Sequence, residues 1–211
     1  MKGLIISSGD VKDFKLLNRI VLEHDYIVCA DGGLDHLIKI DQVPDIVVGD
    51  FDSISDKGLK FIRDNKISVE RFPTMKDQTD TEIALSHLLD RKVDEITLMG
   101  VTGSRIDHTM ANIFLLKRLD MKGIVGRVID DNNIVYFANS RFRIENREGY
   151  NVSVIPINDD GIIVSLVGFL YPLDKKFVKF GSTLGISNKI VEDYGDIIIH
   201  SGEALIIESI D

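Results

Sequence analysis

Two aspartates stand two positions apart at the end of a short β-branched run in the first quarter of the chain. Asp50 and Asp52 follow Val47-Val48-Gly49, and Phe51 separates them. In an extended segment alternate side chains point the same way, so both carboxylates are predicted to share one side while Phe51 faces the core. Two carboxylates held close together repel unless a cation lies between them, and a hard divalent ion prefers oxygen ligands. In an alternative that the residues leave open, Asp52 or Ser53 caps the helix that follows.

Three further loops carry groups that suit a metal-bound polyphosphate. Asp31-Gly32-Gly33 ends an apolar run, and its glycines either bring backbone amides close to a ligand or form a simple tight turn. The polar segment 76–82 precedes a helix, and a capping box from Thr79 to Glu82 explains only part of it. The segment 102–108 offers either a phosphate cradle with a guanidinium clamp or a glycine turn with Asp107 as a helix cap.

The elements around these loops predict two kinds of architecture. Strand-length apolar runs alternate with amphipathic helical segments up to about Phe137, which is typical of an α/β domain with a mostly parallel, Rossmann-like sheet. Ligands of such sheets bind at the carboxyl ends of the strands, where all four loops are expected. From Ser140 onward short strands broken by Gly, Asn, Asp and Pro, among them 177–180 and 189–194, predict an all-β sandwich or barrel. We therefore expect an α/β nucleotide-binding domain over residues 1–138 and an all-β domain over residues 139–211.

Composition narrows the class of protein further. The 211 residues are 44% hydrophobic, and the longest apolar runs fall well short of the ~18–20 residues that span a bilayer. The first residues pass directly from a short apolar run into polar ones, so we expect a cytoplasmic protein without membrane attachment. A formal net charge of -9 argues against a nucleic-acid-binding surface. The single cysteine, Cys29, lies in an apolar run, where a buried thiol is expected.

Taken together, five motifs resemble those of the thiamine pyrophosphokinase family, in the same order and over nearly the whole chain. The motifs are Ala30-Asp31-Gly32-Gly33, Gly49-Asp50-Phe51-Asp52-Ser53, Lys76-Asp77-Gln78-Thr79-Asp80, Thr102-Gly103-Ser104-Arg105-Ile106-Asp107-His108 and Gly185-Ile186-Ser187-Asn188. The resemblance implies an Mg²⁺-dependent transfer of a diphosphoryl group from ATP to thiamine, giving thiamine diphosphate and AMP. It also implies an α/β domain, a C-terminal β-sandwich, and a homodimer whose sites lie between the α/β domain of one subunit and the β domain of the other.

The same resemblance implies roles for individual residues. Asp50 and Asp52 would bind Mg²⁺, and Asp80 would either complete the metal site or accept the proton of the alcohol. Ser187 and Asn188, together with Asp80, would hold thiamine. The residues that would bind ATP are Asp31, Gly32, Gly33, Lys76, Gln78, Thr81, Gly103, Arg105 and Asp107.

One departure from the family and three other functions also follow from the sequence. Some relatives place a tryptophan against thiamine, whereas this chain has none, so Tyr171, Phe180 or another aromatic residue would take its place. The same carboxylates could serve a diphosphokinase for another heterocyclic alcohol, such as a pterin. A catalytically silent nucleotide or thiamine sensor is a second alternative, and a purely structural dimerisation protein, which would leave the acidic loops without a role, is the weakest.

Overall fold

The computed structural model describes residues 1–52, 54–73 and 77–210. Contacts between residues divide the chain into two compact units, Met1–Asp131 and Asn132–Asp211. This division falls before the strand Asn133–Ala138, whereas the expected domain boundary followed it. The strand belongs to the second unit because it pairs antiparallel with Ala204–Ser209, a partner that local sequence patterns do not reveal. Among the described residues, no helix is both long and apolar enough to cross a membrane.

The first unit alternates strands and helices, as predicted. Its strands are β1 (Lys2–Ile6), β2 (Tyr26–Ala30), β3 (Ile46–Gly49), β4 (Ser68–Arg71), β5 (Glu95–Met99) and β6 (Val125–Ile129). Its helices are α1 (Phe14–Leu22), α2 (Leu34–Lys39), α3 (Asp56–Asp64), α4 (Asp80–Leu89) and α5 (Ile106–Asp120), and a 3-10 turn covers Asp31–Gly33.

These strands form a parallel sheet in the order β4-β3-β2-β1-β5-β6. The chain adds strands on one side of β1 up to β4 and then crosses to the other side to place β5. The loops after β1 and β5 therefore diverge, which is where open α/β sheets bind ligands. The apolar runs of β1 and β5 are almost entirely buried, with Leu4, Ile5 and Leu98 fully inaccessible, as expected when helices cover both faces.

Side chains at the helix ends decide where three helices begin. Asp13 caps α1 by accepting from the backbone N–H groups of Lys15 and Leu16, both at 2.9 Å. Ser55 caps α3, so Asp52 does not cap this helix, and Ser53, the other candidate, lies outside the described residues. Helix α5 begins at Ile106, and the residue before it is Arg105. Asp107 therefore lies within the first turn, and the alternative in which it caps the helix is wrong.

The second unit consists of two antiparallel sheets. Its strands are β7 (Asn133–Ala138), β8 (Arg141–Glu145), β9 (Asn151–Pro156), β10 (Ile162–Val167), β11 (Leu173–Val178), β12 (Tyr194–Ser201) and β13 (Ala204–Ser209). One sheet has the order β11-β10-β12-β8, and in the other β13 lies between β7 and β9. Apolar side chains from both sheets, such as Val154, Ile197 and Ile206, form one buried cluster. The predicted β-sandwich is therefore confirmed.

Two strand assignments in this unit need correction. Only Phe177 and Val178 of the predicted strand 177–180 lie in β11, which begins earlier, at Leu173, and ends at Val178. Three exposed polar residues, Asp174, Lys175 and Lys176, stand in a row in the middle of β11, so apolar alternation does not mark it. The predicted strand 189–194 is not formed, because only Ile190 makes an isolated bridge, to Phe169, and Tyr194 already begins β12.

Candidate active site

Three aspartates meet at the carboxyl edge of the parallel sheet. Asp31 follows β2, and Asp50 and Asp52 follow β3; one oxygen from each lies within 4.8 Å of the others. Asp31 is buried, Asp50 is half-buried and Asp52 is exposed, so the cluster opens from the protein interior to solvent. Three carboxylates at this spacing can share a hard divalent cation. We call Asp31, Asp50 and Asp52 the carboxylate cluster.

A sharp turn, and not an extended strand, brings Asp50 and Asp52 together. Strand β3 ends at Gly49, and Phe51 has a φ of 70°, in the left-handed region. The backbone N–H of Asp52 donates to Asp50 Oδ1 at 3.1 Å, which closes the turn. The predicted alternation of side chains is therefore wrong here. Phe51 is only half-buried, and the guanidinium of Arg71 lies 4.7 Å from the centre of its ring.

The carboxylate cluster is electrostatically costly without a cation. Burial, followed by the charges of Asp80, Asp50 and Asp52, raises the pKa of Asp31 from 3.8 to about 6. Asp31 also has a φ of 45°. Its side chain packs closely against β3, because a Cβ added at Gly49 would lie 3.0 Å from the Cβ of Asp31. Asp80, the first residue of α4, is thus linked to the cluster through its charge on Asp31.

A cavity of about 310 Å³ lies where the loops after β1 and β5 diverge. Thr81, Gly103 and Arg105, three of the residues predicted to bind ATP, line it. The Thr81 side chain is buried, and its hydroxyl lies 2.9 Å from the Ser7 hydroxyl. This hydrogen bond joins the first turn of α4 to the end of β1 and fixes one wall of the cavity.

Arg105 and Asp107 form an exposed pair at the start of α5. Arg105 Nε donates to Asp107 Oδ1 at 3.1 Å, and its Nη2 donates to the other carboxylate oxygen. This pairing lowers the pKa of Asp107 to about 2, so its carboxylate is ionised under ordinary conditions. Arg105 lines the cavity while two of its N–H groups donate to Asp107. The planar guanidinium has further N–H donors that can bind an anion.

Other described residues that were predicted to bind ATP do not line this cavity. Gln78 is exposed, and its Nε2 donates to Glu82 Oε1 at 3.2 Å, while Thr79 caps α4 by accepting from the Glu82 N–H at 3.2 Å. Lys76 lies outside the described residues. A Cβ at Gly33 would come within 2.4 Å of the Ile6 carbonyl oxygen, so close packing against β1 already requires this glycine.

The two residues predicted to hold thiamine lie in a loop of the second unit, and they differ in exposure. Ser187 is exposed with a φ of 54°, and its backbone N–H donates to the Ser153 hydroxyl at 3.0 Å. Asn188 is only 3% exposed, and its side chain bonds to the backbone of Tyr171 and Lys189. Tyr171 and Asn188 line a smaller cavity of about 180 Å³ beside the loop.

Comparison with known proteins identifies the family. The sequence profile described as "Thiamin pyrophosphokinase, catalytic domain" matches residues 17–125, and the profile described as "Thiamin pyrophosphokinase, vitamin B1 binding domain" matches residues 139–206. The thiamine pyrophosphokinase of Bacillus subtilis is 34% identical over the full length of both chains. The chain belongs to the thiamine pyrophosphokinase family.

Solved structures of thiamine pyrophosphokinases share the fold over the whole chain. The crystal structure of the Bacillus subtilis protein has a TM-score of 0.91 at 31% identity, and each chain is covered completely. The structure from Geobacillus thermodenitrificans has a TM-score of 0.85 at 28% identity, covering all of this chain and 98% of that one. The profile of the catalytic domain spans the carboxylate cluster and the cavity residues from Thr81 onward, and the B1 binding profile spans the loop with Ser187 and Asn188.

One wall of the cavity in the first unit was not anticipated from the sequence. The loop Ser7–Asp10 lines it beside the segment after β5, and Asp10 donates its backbone N–H to the Thr102 carbonyl at 2.9 Å. His36 Nε2 lies 2.8 Å from the Gly9 carbonyl oxygen and must be the donor, because a carbonyl oxygen only accepts. Burial lowers the pKa of this imidazole. The position of the loop directly after β1 was the available signal, since ligands bind at strand ends.

Proposed function

We propose that this chain transfers the diphosphoryl group of ATP to the hydroxyethyl group of thiamine, giving thiamine diphosphate and AMP. The observation that carries the proposal is the carboxylate cluster at the ligand-binding edge of the sheet, in a member of the thiamine pyrophosphokinase family. Diphosphoryl transfer depends on alignment and on neutralisation of phosphate charge, and this cluster can supply the second through a cation. Neither a pterin acceptor nor a silent sensor is favoured by any of these observations.

Mg²⁺ is the cation that we propose for the cluster. Asp50 and Asp52 would bind it, as expected from the sequence, and the spacing of the oxygens supports Asp31 as a further ligand. Mg²⁺, when bound, would neutralise charge on the phosphate oxygens. Asp80 remains the candidate either to complete this site or to serve as the base, because its charge acts on Asp31.

ATP is proposed to bind along the carboxyl edge of the sheet, from the carboxylate cluster to the cavity beyond β1. Arg105 would contact phosphate oxygens with donors that Asp107 leaves available, and Asp107 would hold its guanidinium in place. Thr81 would contact the nucleotide from the cavity wall. The other residues proposed to contact ATP are Gly32, Gly33, Lys76, Gln78 and Gly103.

The reaction needs one bond to form and one to break at the β-phosphorus. The hydroxyl oxygen of thiamine attacks this phosphorus, and the bond from the β-phosphorus to the oxygen that bridges to the α-phosphorus breaks, so AMP departs with the bridging oxygen. Asp80, at the start of α4, is the candidate to accept the hydroxyl proton if it does not serve as a metal ligand. The chain thus needs no covalent intermediate.

The active form is proposed to be a homodimer, as the resemblance of the five motifs to this family implies. Each site would combine the α/β domain of one subunit with the β domain of the other. Mixing Asp52→Asn chains with Ser187→Trp chains tests this arrangement: activity returns in the mixed dimer if sites are shared, since one site then carries neither change. Cytoplasmic location is likewise proposed, and cell fractionation tests it.

The experiment that tests the function is an assay of AMP and thiamine diphosphate formation from ATP, Mg²⁺ and thiamine. Asp52→Asn should lower kcat/KM by about 100-fold or more, because it removes a charged ligand of the cation while keeping the shape of the side chain. Asp41→Asn is the matched control, since Asp41 is an exposed aspartate outside the carboxylate cluster. Circular dichroism establishes that both variants are folded.

Two results would contradict the proposal. Thiamine that binds in calorimetry without any release of AMP would indicate a sensor. AMP release with another heterocyclic alcohol but not with thiamine would indicate a different acceptor, and a panel of such alcohols, pterins included, distinguishes the two results.

A further inference from the structure

The peptide group between Gly9 and Asp10 is hydrogen-bonded at both of its polar ends. Its carbonyl, that of Gly9, accepts from His36 Nε2 at 2.8 Å. Its N–H, that of Asp10, donates to the Thr102 carbonyl at 2.9 Å. His36 belongs to α2, which comes soon after β2, and Thr102 comes soon after β5; these two strands flank β1 in the sheet. The loop after β1 is therefore held by elements on both sides of its own strand.

Only glycine fits at position 9, and glycine brings backbone freedom with it. A Cβ added at Gly9 would lie 2.3 Å from the Thr102 carbonyl oxygen and 2.5 Å from the Gly100 carbonyl oxygen. Close packing thus requires a residue without a side chain, which is also the residue whose backbone has the most conformations open to it. The hydrogen bond from His36 restricts this freedom, because it fixes the direction of the Gly9 carbonyl.

The imidazole of His36 is committed to this single bond. Within the described part of the chain, its Nδ1 is buried and has no hydrogen-bond partner. A neutral imidazole carries one proton, and the Gly9 carbonyl requires that proton on Nε2. Burial, and to a lesser extent the charge of Lys39, lowers the pKa of His36. Protonation would add a buried N–H at Nδ1 without an acceptor, so the neutral form with the proton on Nε2 is favoured.

The peptide that His36 holds forms part of the cavity of about 310 Å³. Gly9 and Asp10 line this cavity, as do Gly103 and Arg105 on the segment after β5. The two segments pack in ordinary van der Waals contact, since a Cβ added at Gly103 would lie 3.6 Å from the Asp10 nitrogen. A rotation of the peptide between Gly9 and Asp10 would therefore change the shape of the cavity beside Arg105.

We propose that His36 is a positioning residue for ATP, because its bond to the Gly9 carbonyl keeps the loop Ser7–Asp10 in the conformation that binds the nucleotide. The proposal rests on the proposed function, in which ATP occupies this cavity. His36 is not among the described residues that line the cavity, so it acts through Gly9 and does not touch the nucleotide. The effect of His36 is accordingly on ATP and not on thiamine.

Two amide substitutions separate the hydrogen bond from the histidine ring. His36→Gln places an amide nitrogen close to the position of Nε2 and keeps the donor, whereas the shorter side chain of His36→Asn does not reach the Gly9 carbonyl. Calorimetry with ATP and Mg²⁺ should show a Kd for ATP about three- to tenfold higher in His36→Asn, the loss expected for one hydrogen bond, and within about twofold of native in His36→Gln. Native affinity in His36→Asn, or an equal loss in both variants, would overturn the proposal.

His24→Asn controls for a general loss of stability. His24 is also half-buried, and its ring nitrogens bond to the Ile20 carbonyl and the Thr97 hydroxyl, away from the residues that line the cavity. This substitution should lower the free energy of unfolding in urea and leave the Kd for ATP unchanged. In steady-state kinetics, His36→Asn should raise the KM for ATP and leave the KM for thiamine within about twofold. An equal loss of ATP affinity in His24→Asn and His36→Asn would show that stability alone is responsible and overturn the proposal.

NMR spectra of the native protein cover the case in which His36→Asn does not fold. The ring nitrogens of His36 should show the neutral form with the proton on Nε2 at pH 7, and ATP with Mg²⁺ should shift the backbone amide resonances of Gly9 and Asp10. A proton on Nδ1 instead, or amide resonances that do not respond to ATP, would overturn the proposal. Binding of ATP and formation of AMP by the native protein are measured first. Their failure would count against the proposed function, whereas the outcomes above are measured on a protein that binds ATP and so concern only His36.

Discussion

Replacing Asp31 by asparagine should stabilise the metal-free protein while weakening its response to Mg²⁺. The substitution removes one negative charge from the carboxylate cluster and preserves the shape of the side chain. Asparagine also tolerates the left-handed backbone at this position, where φ is 45°. The effect on stability therefore comes from charge and not from packing or backbone strain.

The raised pKa of Asp31 sets the magnitude. A rise from 3.8 to about 6 at about 1.36 kcal/mol per pKa unit corresponds to about 3 kcal/mol when the carboxylate is ionised. Solvent screens the contribution of the exposed Asp52, so we expect about 1–3 kcal/mol. The folded protein holds this proton more tightly than the unfolded chain, so its free energy of unfolding falls as pH rises from about 4 to 6. The advantage of Asp31→Asn should thus be small near pH 4 and complete above pH 7.

Urea unfolding in EDTA at several pH values between 4 and 8 measures this difference. Asp41→Asn is the control, because Asp41 also has a positive φ, 53°, and loses the same charge outside the carboxylate cluster. Added Mg²⁺ should then stabilise the native protein more than Asp31→Asn, since a ligand that binds only the folded state raises its stability. Equal stability of the native protein and Asp31→Asn at pH 8 in EDTA would refute the electrostatic reasoning.

Two further substitutions probe the cavity of the first unit. Gly100→Ala should lower the free energy of unfolding by about 2–4 kcal/mol, because its φ is 65° and the new Cβ would lie 2.3 Å from the Ser7 carbonyl oxygen. Gly123→Ala, with a φ of 70° and open space around the Cβ, should cost only about 1 kcal/mol, and equal losses in urea unfolding would contradict the steric argument. Arg105→Lys keeps the charge but loses the planar fork, so the KM for ATP should rise about three- to tenfold with the KM for thiamine unchanged; an unaltered KM for ATP would exclude Arg105 from phosphate binding.

Much of the fold follows from sequence because local patterns carry it. The buried parallel strands of the first unit read as continuous apolar runs, and the caps and glycines between them mark the loops. Tertiary partners are not encoded in this way. Strand β7 resembles its predecessors in sequence, yet it pairs with β13 more than 60 residues later. This is why the division between the compact units falls before β7.

The candidate site was predictable in its residues more than in its geometry. Asp50 and Asp52 do lie close together, but a turn at Phe51 brings them there. No periodicity in the sequence predicts that a phenylalanine adopts a positive φ at this position. The entry of Asp31 into the same cluster depends on β2 and β3 being neighbours, which is a property of the sheet. The occupied amide of Asn188 likewise depends on Tyr171, 17 positions earlier in the chain.

The backbone at Asp31, Phe51 and Ser187 has a consequence for directed evolution. Each has a positive φ, at 45°, 70° and 54°, a conformation that costs a residue with a side chain about 1–2 kcal/mol and glycine much less. Selection for heat resistance alone should therefore favour glycine at these three positions. If variants are selected for heat resistance without a test of activity, glycine should replace Asp31 in some of them. These variants would be more stable but would lack one carboxylate of the carboxylate cluster. Thermostable variants of this chain should accordingly be selected with the reaction itself as part of the screen.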